Sequence, residues 1–350
     1  MVRTVGFKYV ILRNGANYGI LPAPVDSTHQ IHMDTEAEIK TSLIGDFFEP
    51  EKDVDFMTDK IQPVMILDGK EYPLGIFLPV HVSMDDSDYV KKIHIEAYDQ
   101  CWYVKAQKVS VHPPFFPAGT NYINAISSLL STCNIALIYA VSTSEVMTED
   151  RADWGVGTSY LTIVNELLKE INYNDLWFDN AGIAQLTPFE APDAKFIDHT
   201  LSDKDIKSLM IHGMSSTMDI YEIPNEIVVT CSNPDKEGGM IALAENTNPQ
   251  SPLSIARRGM RITKVININN IASQEALQSY ANRLMTETMS AEEEIMIDTL
   301  LLPGFGVGDT IGFKYGDLMA ICKETAWTME LKVGGHMTHV LNRRVLNIDQ

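Results

Sequence analysis

The sequence predicts a β-rich α+β protein built from more than one domain. Its 350 residues are enough for two or three domains. Hairpin and alternation patterns dominate both ends of the chain, whereas a helical period of apolar residues occupies the middle. This order predicts three regions: a β domain at 1–110, an α+β insert domain at 111–200, and a second β domain at 201–350.

A β-hairpin and an alternating strand are predicted in the first region. Asp68-Gly69 stands between two apolar runs, and both central residues of a type I′ turn need positive φ. In YVKKIHIEAYD, at 89–99, apolar residues alternate with polar ones, which indicates a half-buried antiparallel strand. These signals predict a meander that is compatible with a barrel or a sandwich.

The arm that returns from this hairpin is unusual for a strand. Pro73 and Pro79 cannot donate to a β-ladder, and Gly75 weakens a strand interior. Such residues suit an edge strand, or a bend where the chain leaves one sheet and meets another. An edge or bent strand is therefore predicted over Tyr72, Pro73, Leu74, Gly75, Ile76, Phe77, Leu78 and Pro79.

The second region changes to a helical period. A proline-rich stretch at 111–120 forces extended backbone and marks the boundary. Two amphipathic helices follow, with Thr120 and Thr158 as candidate N-caps. Asn180-Ala181-Gly182 then suits a three-residue hairpin loop with its glycine in the left-handed conformation. The pattern of this region therefore predicts helix, helix, hairpin.

The third region returns to strands and contains one long helix. The segment at 205–214 fits either a helix that follows a capping box or a strand. The long helix is predicted at 273–289, with Ser273 as its N-cap. The two β regions resemble each other in style, but their direct self-similarity is too weak to predict a repeat.

The charge balance limits the classes of partner. A net charge of -20 argues against a surface that grips nucleic acid, because such surfaces are basic. It suits a surface that must not adhere to DNA or to an anionic membrane, and simple solubility is the alternative explanation. No apolar run reaches the roughly 20 residues of a membrane helix, and no secretory signal is predicted. The four widely spaced cysteines are expected to be free thiols.

No motif predicts a catalytic, cofactor-binding or metal-binding residue. The glycines of PGFGVGD, at 303–309, precede a strand and not the helix N-terminus that a phosphate site needs. Paired histidines, at 29 and 32 and at 336 and 339, would fall on opposite strand faces and could hardly share one ion. The acidic runs lie in a turn and at a helix end, where carboxylates are usually solvated. No cofactor is expected.

Segments from all three regions resemble one protein family. IQPVMILDGKEYPLGIFLPVHVSMDDSDYVKKIHIEAYDQCWYV is similar to the first β domain of phage tail baseplate hub proteins. DWGVGTSYLTIVNELLKEINYNDLWFDNAGIAQLTPF resembles the helix and hairpin of that family. PLSIARRGMRITKVININNIASQEALQSYANRLM and EEEIMIDTLLLPGFGVGDTIGF resemble its closing part. The resemblance is to the late-control-protein-D and VgrG-like hubs, including their prophage relatives, and it covers nearly the whole chain.

The resemblance implies an architecture and a set of partners. It implies two tube-type antiparallel β-barrel domains with a small helix-helix-hairpin insert domain. Three copies would arrange six similar barrels into a homotrimeric ring that continues the tail tube. The neighbours would be the tail tube or distal tail protein and a spike or tip protein, with DNA as passing cargo. The location would be the virion tail or baseplate, assembled in the bacterial host cytoplasm.

Within such a ring, two features of the sequence gain a role. An acidic channel would keep the genome from binding on its way through. The segment at 72–79 would lie at or near a contact between subunits. The expected function is structural and not enzymatic, because the segment that some hubs append for hydrolysis is not expected here. The alternatives are a tail-associated cell-wall hydrolase and a receptor-binding or carbohydrate-binding tail protein.

Overall fold

The structure is a computed structural model that describes residues 3–24, 29–86, 91–192, 195–217, 223–231, 239–268, 270–290 and 293–343. The first described part of the chain contains the strands β1 (Val5–Arg13), β2 (Ala16–Leu21), β3 (Gln30–Asp34), β4 (Thr41–Phe48), β5 (Lys60–Leu67), β6 (Lys70–Pro73), β7 (Leu78–Asp85) and β8 (Lys92–Tyr98). The middle contains α1 (Cys101–Ala106), α2 (Tyr122–Thr132), β9 (Ile138–Ala140), α3 (Tyr160–Glu170), β10 (Trp177–Phe178) and β11 (Ala184–Leu186).

The last part of the described chain returns to strands. It contains β12 (His199–Ser202), a 3₁₀ turn (Ile206–Ser208), β13 (Met210–Thr217), β14 (Glu226–Cys231), β15 (Met240–Glu245), α4 (Ile255–Arg258), β16 (Thr263–Ile268), α5 (Gln274–Ser290), β17 (Glu293–Leu300), β18 (Thr310–Tyr315), β19 (Leu318–Glu330) and β20 (His336–Arg343). Strands make up 44% and helices 16% of the structure, which confirms the predicted β-rich α+β class.

Local turn chemistry explains the predicted hairpins. Asp68 and Gly69 both have positive φ, 49° and 82°, and they join β5 to β6 with Leu67 opposite Lys70. Gly182 has φ 81° in the loop between β10 and β11. Both hairpins are therefore confirmed, because the residues at these turns tolerate a backbone conformation that most side chains disfavour.

The N-caps of the insert helices lie one residue beyond the predicted positions. The Asn121 side chain accepts from the backbone N–H of Ile123, and Ser159 accepts from that of Thr162. Thr120 instead donates its hydroxyl to the carbonyl of Pro117. The predicted N-caps Thr120 and Thr158 are therefore wrong. In each case the next residue has the extended backbone that places its side-chain oxygen over the first helical turn.

One large sheet joins the two ends of the chain. Among the described residues it has ten strands, of which eight run in the spatial order β13-β17-β20-β19-β3-β4-β8-β7, while β12 and β18 continue from β19. A four-stranded sheet, β2-β1-β5-β6, packs on the same core. That core includes Tyr9, Phe47, Phe313 and Trp327, so it is shared by residues from both ends of the sequence. Burial of each of the two phenylalanine side chains contributes about 1.5–3 kcal/mol.

Two smaller units have cores of their own. α1, α2 and α3 pack with β9–β11, where the buried Arg151 guanidinium binds Glu170 at 2.8 Å. α5 covers one face of the sheet β15-β14-β16.

The segment 205–214, for which helix and strand were both possible, forms the 3₁₀ turn and most of β13. The predicted domain boundaries at 110 and 200 stay predictions. Among the described helices, none has the length and apolar composition needed to cross a membrane.

Candidate functional site: two open edges of the large sheet

The segment predicted as an edge or bent strand connects the two main sheets. β6 ends at Pro73 and is the outermost strand of the four-stranded sheet. β7 begins at Leu78 and is the terminal strand of the ten-stranded sheet. Between them, Phe77 forms an isolated bridge with Ile61, and the two backbones exchange N–H···O bonds of 2.8 Å. The chain therefore bends at 74–77 as it passes from one sheet to the other.

The inner side of this bend is occupied by the same chain. Gly75 has φ 115°, and its N–H donates to the carbonyl of Asn180 at 3.0 Å. Gly182, in the loop between β10 and β11, also lies against the bend, because a Cβ placed on it would be only 2.5 Å from Ile76 Cδ1. Leu74 and Phe77 are buried, as is Leu78, whereas Pro73 is exposed and Tyr72, Ile76 and Pro79 are half-buried. The side of this segment that the described chain leaves uncovered is therefore the outer one, along the edge of β7.

The large sheet contains the same four-strand unit twice. The first unit is β3-β4-β8-β7 and the second is β13-β17-β20-β19. In each unit the last two strands form a hairpin, β7–β8 or β19–β20, and the two earlier strands follow on the other side. The strands correspond in both chain order and spatial order. The repeat is not evident in the sequence, because β4, TSLIGDFF, and its counterpart β17, EEIMIDTL, differ at most aligned positions.

A bulge at the same place aligns the two units. In β7 the register shifts between Pro79 and His81, and in β19 it shifts between Glu324 and Ala326. A bulge inserts one unpaired residue and bends the strand. Pro79 therefore corresponds to Glu324 and His81 to Ala326, which sets the correspondence of every later residue in these two strands.

The two units are joined within the chain by strand pairing. β19, the last strand of the second unit, pairs antiparallel with β3, the first strand of the first unit. This internal joint places Thr328 opposite His32 and Met329 opposite Ile31. The remaining two ends, β7 and β13, are the open edges, since no strand in the described ranges pairs with their outer sides. An unpaired edge is a template for pairing with another chain.

Side-chain exposure differs between the joined and the open edges. At the internal joint, Met329 and Ile31 are 2% and 0% exposed. The equivalent residues are Met84, which is 70% exposed, and Ser216, which is also exposed. Met84 therefore occupies a position whose counterpart is covered by a neighbouring strand.

One face of the eight strands points away from the core and is acidic. Alternation along the strands places there the carboxylates of Asp34, Asp46, Asp85, Glu96, Glu294, Asp298 and Glu330. The lysines that alternation places on it are Lys92 and Lys323. We call this surface the open face. Its residues are exposed or half-buried, so it presents a net negative charge.

A buried polar group lies in the core of the second unit. His339 Nδ1 is 2.5 Å from Glu324 Oε1, and His339 Nε2 is 2.9 Å from Thr299 Oγ1. Burial raises the pKa of Glu324 well above 4.5 and lowers the pKa of His339 to about 4. Both side chains are therefore uncharged near neutral pH. The protonated Glu324 carboxyl group donates to His339 Nδ1, and the imidazole N–H at Nε2 donates to the Thr299 hydroxyl. All three side chains are inaccessible to a substrate.

In each of the two histidine pairs, the two side chains lie on opposite sides of the large sheet, as the strand pattern predicts. His29 and His339 are buried, whereas His32 and His336 lie on the open face. Within the described ranges, no group of three or more His, Cys, Asp or Glu side chains is placed to hold a metal ion. All four cysteines are buried thiols, as expected.

Comparison with known proteins identifies the fold. No protein-family model matches the chain, and no curated protein matches it. A tail protein from Neisseria meningitidis is 12% identical, with a TM-score of 0.68 over 97% of this chain and 98% of that one. The 43 kDa tail protein of prophage MuSo2 from Shewanella oneidensis is 9% identical, with a TM-score of 0.67 over 97% and 99%.

A third solved structure comes from a secretion system. It is an E. coli type VI secretion component described as structurally similar to the T4 bacteriophage tail proteins gp27 and gp5. Its identity to this chain is 9% and its TM-score is 0.52, over 95% of this chain and 76% of that one. The chain therefore has the fold of phage and prophage tail proteins, and the resemblance that the sequence indicates is confirmed at the level of the fold.

Proposed function

We propose that this protein is a structural component of a phage tail or tail-like particle and forms a homotrimeric hub ring in the baseplate or tail tip. The observation that carries the proposal is the repeated strand unit, joined once within the chain and open at both outer ends. If the internal joint is repeated between copies, β7 of one copy meets β13 of the next. Such a head-to-tail contact generates a closed ring when its rotation closes.

The number of copies follows from the resemblance to tail hubs. Six similar units would surround the bore, and each chain supplies two, so three copies close the ring. Closure removes the open edges, which otherwise promote uncontrolled association. The ring would continue the tail tube, with the tube or distal tail protein on one side and a spike or tip protein on the other.

The open face is proposed to line the bore. In the described strands of each chain, its seven carboxylates outnumber its two lysines, which would give the bore a negative potential. DNA phosphates are repelled by such a surface, so the genome could pass as cargo without being retained. The channel would thus act as a conduit and not as a binding site.

The ring itself is tested by mass and by imaging. Purified protein is examined by native mass spectrometry and by negative-stain class averages over a range of concentrations. The expected species has three times the 39.1 kDa mass of one chain and shows a central bore. A protein that stays monomeric at every concentration, or particles without a bore, would contradict the proposal.

The conduit role has its own test. Asp46, Glu96 and Glu294 on the open face are replaced by lysine, and a control variant carries lysine at Glu49, Glu71 and Asp317, which lie outside the strands that form this face. The first ring should retain duplex DNA in a salt-sensitive gel-shift assay, whereas the native ring and the control should not. Equal retention by both variants would show that the open face does not line the bore.

We propose that the hub has no catalytic role. The buried pair Glu324 and His339, whose pKa values are both shifted by burial, is enclosed in the core and supports packing instead of chemistry. A zymogram on bacterial cell walls distinguishes this role from that of a cell-wall hydrolase. A clear band that disappears on denaturation of the protein would contradict the structural role.

A further inference from the structure

Resting on the proposed ring, we propose that β7 of one copy and β13 of the next pair antiparallel in one defined register. Ser83 lies opposite Thr217, Met84 opposite Ser216, and Asp85 opposite Ser215. The partner is a second copy of this chain, and the contact consists of backbone hydrogen bonds between the two open edges. This assigns residues to an interface that the ring alone does not specify.

The β7 side of the register follows from the shared bulge. Since His81 corresponds to Ala326, Ser83 corresponds to Thr328 and Met84 to Met329. After the bulge, the pairing of β7 with β8 and that of β19 with β20 both continue without a further shift in register. The correspondence therefore holds along the rest of the edge.

The β13 side follows from pairing inside each unit. In the first unit, Ala97 lies opposite Leu43, which lies opposite Ile31. In the second unit, Leu341 is the counterpart of Ala97, and it lies opposite Ile295, which lies opposite Ser216. Ser216 therefore corresponds to Ile31, and Thr217 to His32.

The internal joint then supplies the register. It pairs Thr328 with His32, Met329 with Ile31, and Glu330 with Gln30. Replacing each residue by its counterpart on the open edges gives Ser83 with Thr217, Met84 with Ser216, and Asp85 with Ser215. The repeat thus predicts the contact between copies from the contact within one.

The chemistry of the two edges suits this pairing. From His81 to Asp85, and from Ser215 to Thr217, neither edge carries the lysine, proline or bulge that commonly protects an edge strand. By contrast, β15 is protected, because the amides of Gln274 and Gln278 donate to its outer carbonyls. The small side chains of β13 also leave space for Met84 beside Ser216. No like charges face each other in the three pairs.

Hydrogen bonding at the internal joint identifies the best pair for a test. The N–H of Leu331 donates to the carbonyl of His29, and that of Thr35 to the carbonyl of Thr325, both at 2.8 Å. Hydrogen-bonded pairs alternate with non-bonded ones, so Thr328 and His32 form a non-bonded pair. Ser83 and Thr217 inherit this geometry, with Cα atoms about 4.5 Å apart. That separation suits a disulfide, whose Cα atoms usually lie roughly 4.4–6.8 Å apart.

The experiment is oxidative cross-linking of cysteine variants of the full chain. The test variant is Ser83→Cys with Thr217→Cys. The matched control, Ser83→Cys with Ser215→Cys, keeps both thiols on the open face but shifts the register by two residues. A positive control, Thr328→Cys with His32→Cys, should close within one chain. The native cysteines are buried and do not compete.

The test variant should give a covalent trimer on a non-reducing denaturing gel, and the shifted control should remain largely monomeric. Suppose that class averages show a ring with a bore. If the test variant then fails to cross-link, or the shifted variant cross-links equally well, the register is wrong but the proposed hub is not contradicted. If no ring forms in any preparation, the proposed function and this inference both fail.

Discussion

Met84 and Met329 occupy equivalent positions in the two strand units, yet Met84 is 70% exposed and Met329 only 2%. Met329 lies opposite Ile31 across the internal joint, whereas no described strand lies beyond Met84. Complete burial of a methionine side chain contributes about 1.5–3 kcal/mol. The edge of β7 thus exposes an apolar side chain whose equivalent at the internal joint is buried.

Met84→Lys should weaken ring assembly without destabilising the isolated chain. Loss of about 1.5–3 kcal/mol at each contact corresponds to a roughly 10- to 150-fold lower association constant. Sedimentation velocity over a concentration series measures the change. Met57→Lys is the matched control, because Met57 is 90% exposed and lies between β4 and β5, outside both edge strands. Equal weakening by the two variants would rule out a specific contact at Met84.

Gly182→Ala should destabilise the chain where the insert hairpin meets the bend before β7. The new Cβ would lie 2.5 Å from Ile76 Cδ1. Because Ile76 Cδ1 is the end of a flexible side chain, we expect a cost at the lower end of the about 1–3 kcal/mol that overpacking typically brings. Gly119→Ala is the control, since Gly119 has a similar φ of 86° but a Cβ placed on it would meet no atom within 4 Å. Urea unfolding should show the larger loss for Gly182→Ala, and Ile76→Val should partly restore it. Equal losses would contradict the contact.

His29 should make the folded chain sensitive to acid. Burial lowers its pKa from 6.5 to about 4. Between these values the unfolded chain binds a proton that the folded chain excludes, so the free energy of unfolding falls as the pH falls, by about 1.4 kcal/mol per pH unit. His29→Gln keeps an N–H donor for the carbonyl of Asp46, which His29 Nε2 contacts at 2.6 Å. Urea unfolding at pH 7 and pH 5 should show a smaller difference for this variant, and an unchanged difference would contradict the assignment.

The Glu324–His339 pair should show strong coupling in a double-mutant cycle. His339→Leu leaves a buried carboxyl group without its partner, which costs about 1–3 kcal/mol beyond any packing change. Glu324→Leu with His339→Leu removes both polar groups and should be less destabilising than the sum of the single changes. The equivalent residues in the first unit, Pro79 and Ile95, are already apolar. Additive losses in urea unfolding would contradict a direct interaction.

Local chemistry made part of this structure predictable. Asp68-Gly69 and Gly182 mark turns because their backbone needs positive φ. The repeated unit was not predictable, since strand pairing uses backbone groups that every sequence carries. Its equivalent core positions include Phe47 and Thr299, which share no side-chain chemistry.

The second open edge was also beyond sequence reasoning. β13 follows a segment whose capping signal suggests a helix, and Gly213 interrupts its alternation. Its identity as an edge depends on which strand lies next to it, and that neighbour, β17, is distant in the sequence. Long-range pairing of this kind leaves no local pattern in the residues involved.

The most direct measurement is a cryo-electron microscopy map of the assembled particle at a resolution that separates strands. We predict three copies around a bore lined by the open face, with the Ser83 Cα of one copy about 4.5 Å from the Thr217 Cα of the next. A particle in which β7 and β13 remain apart, or in which another surface lines the bore, would contradict the account.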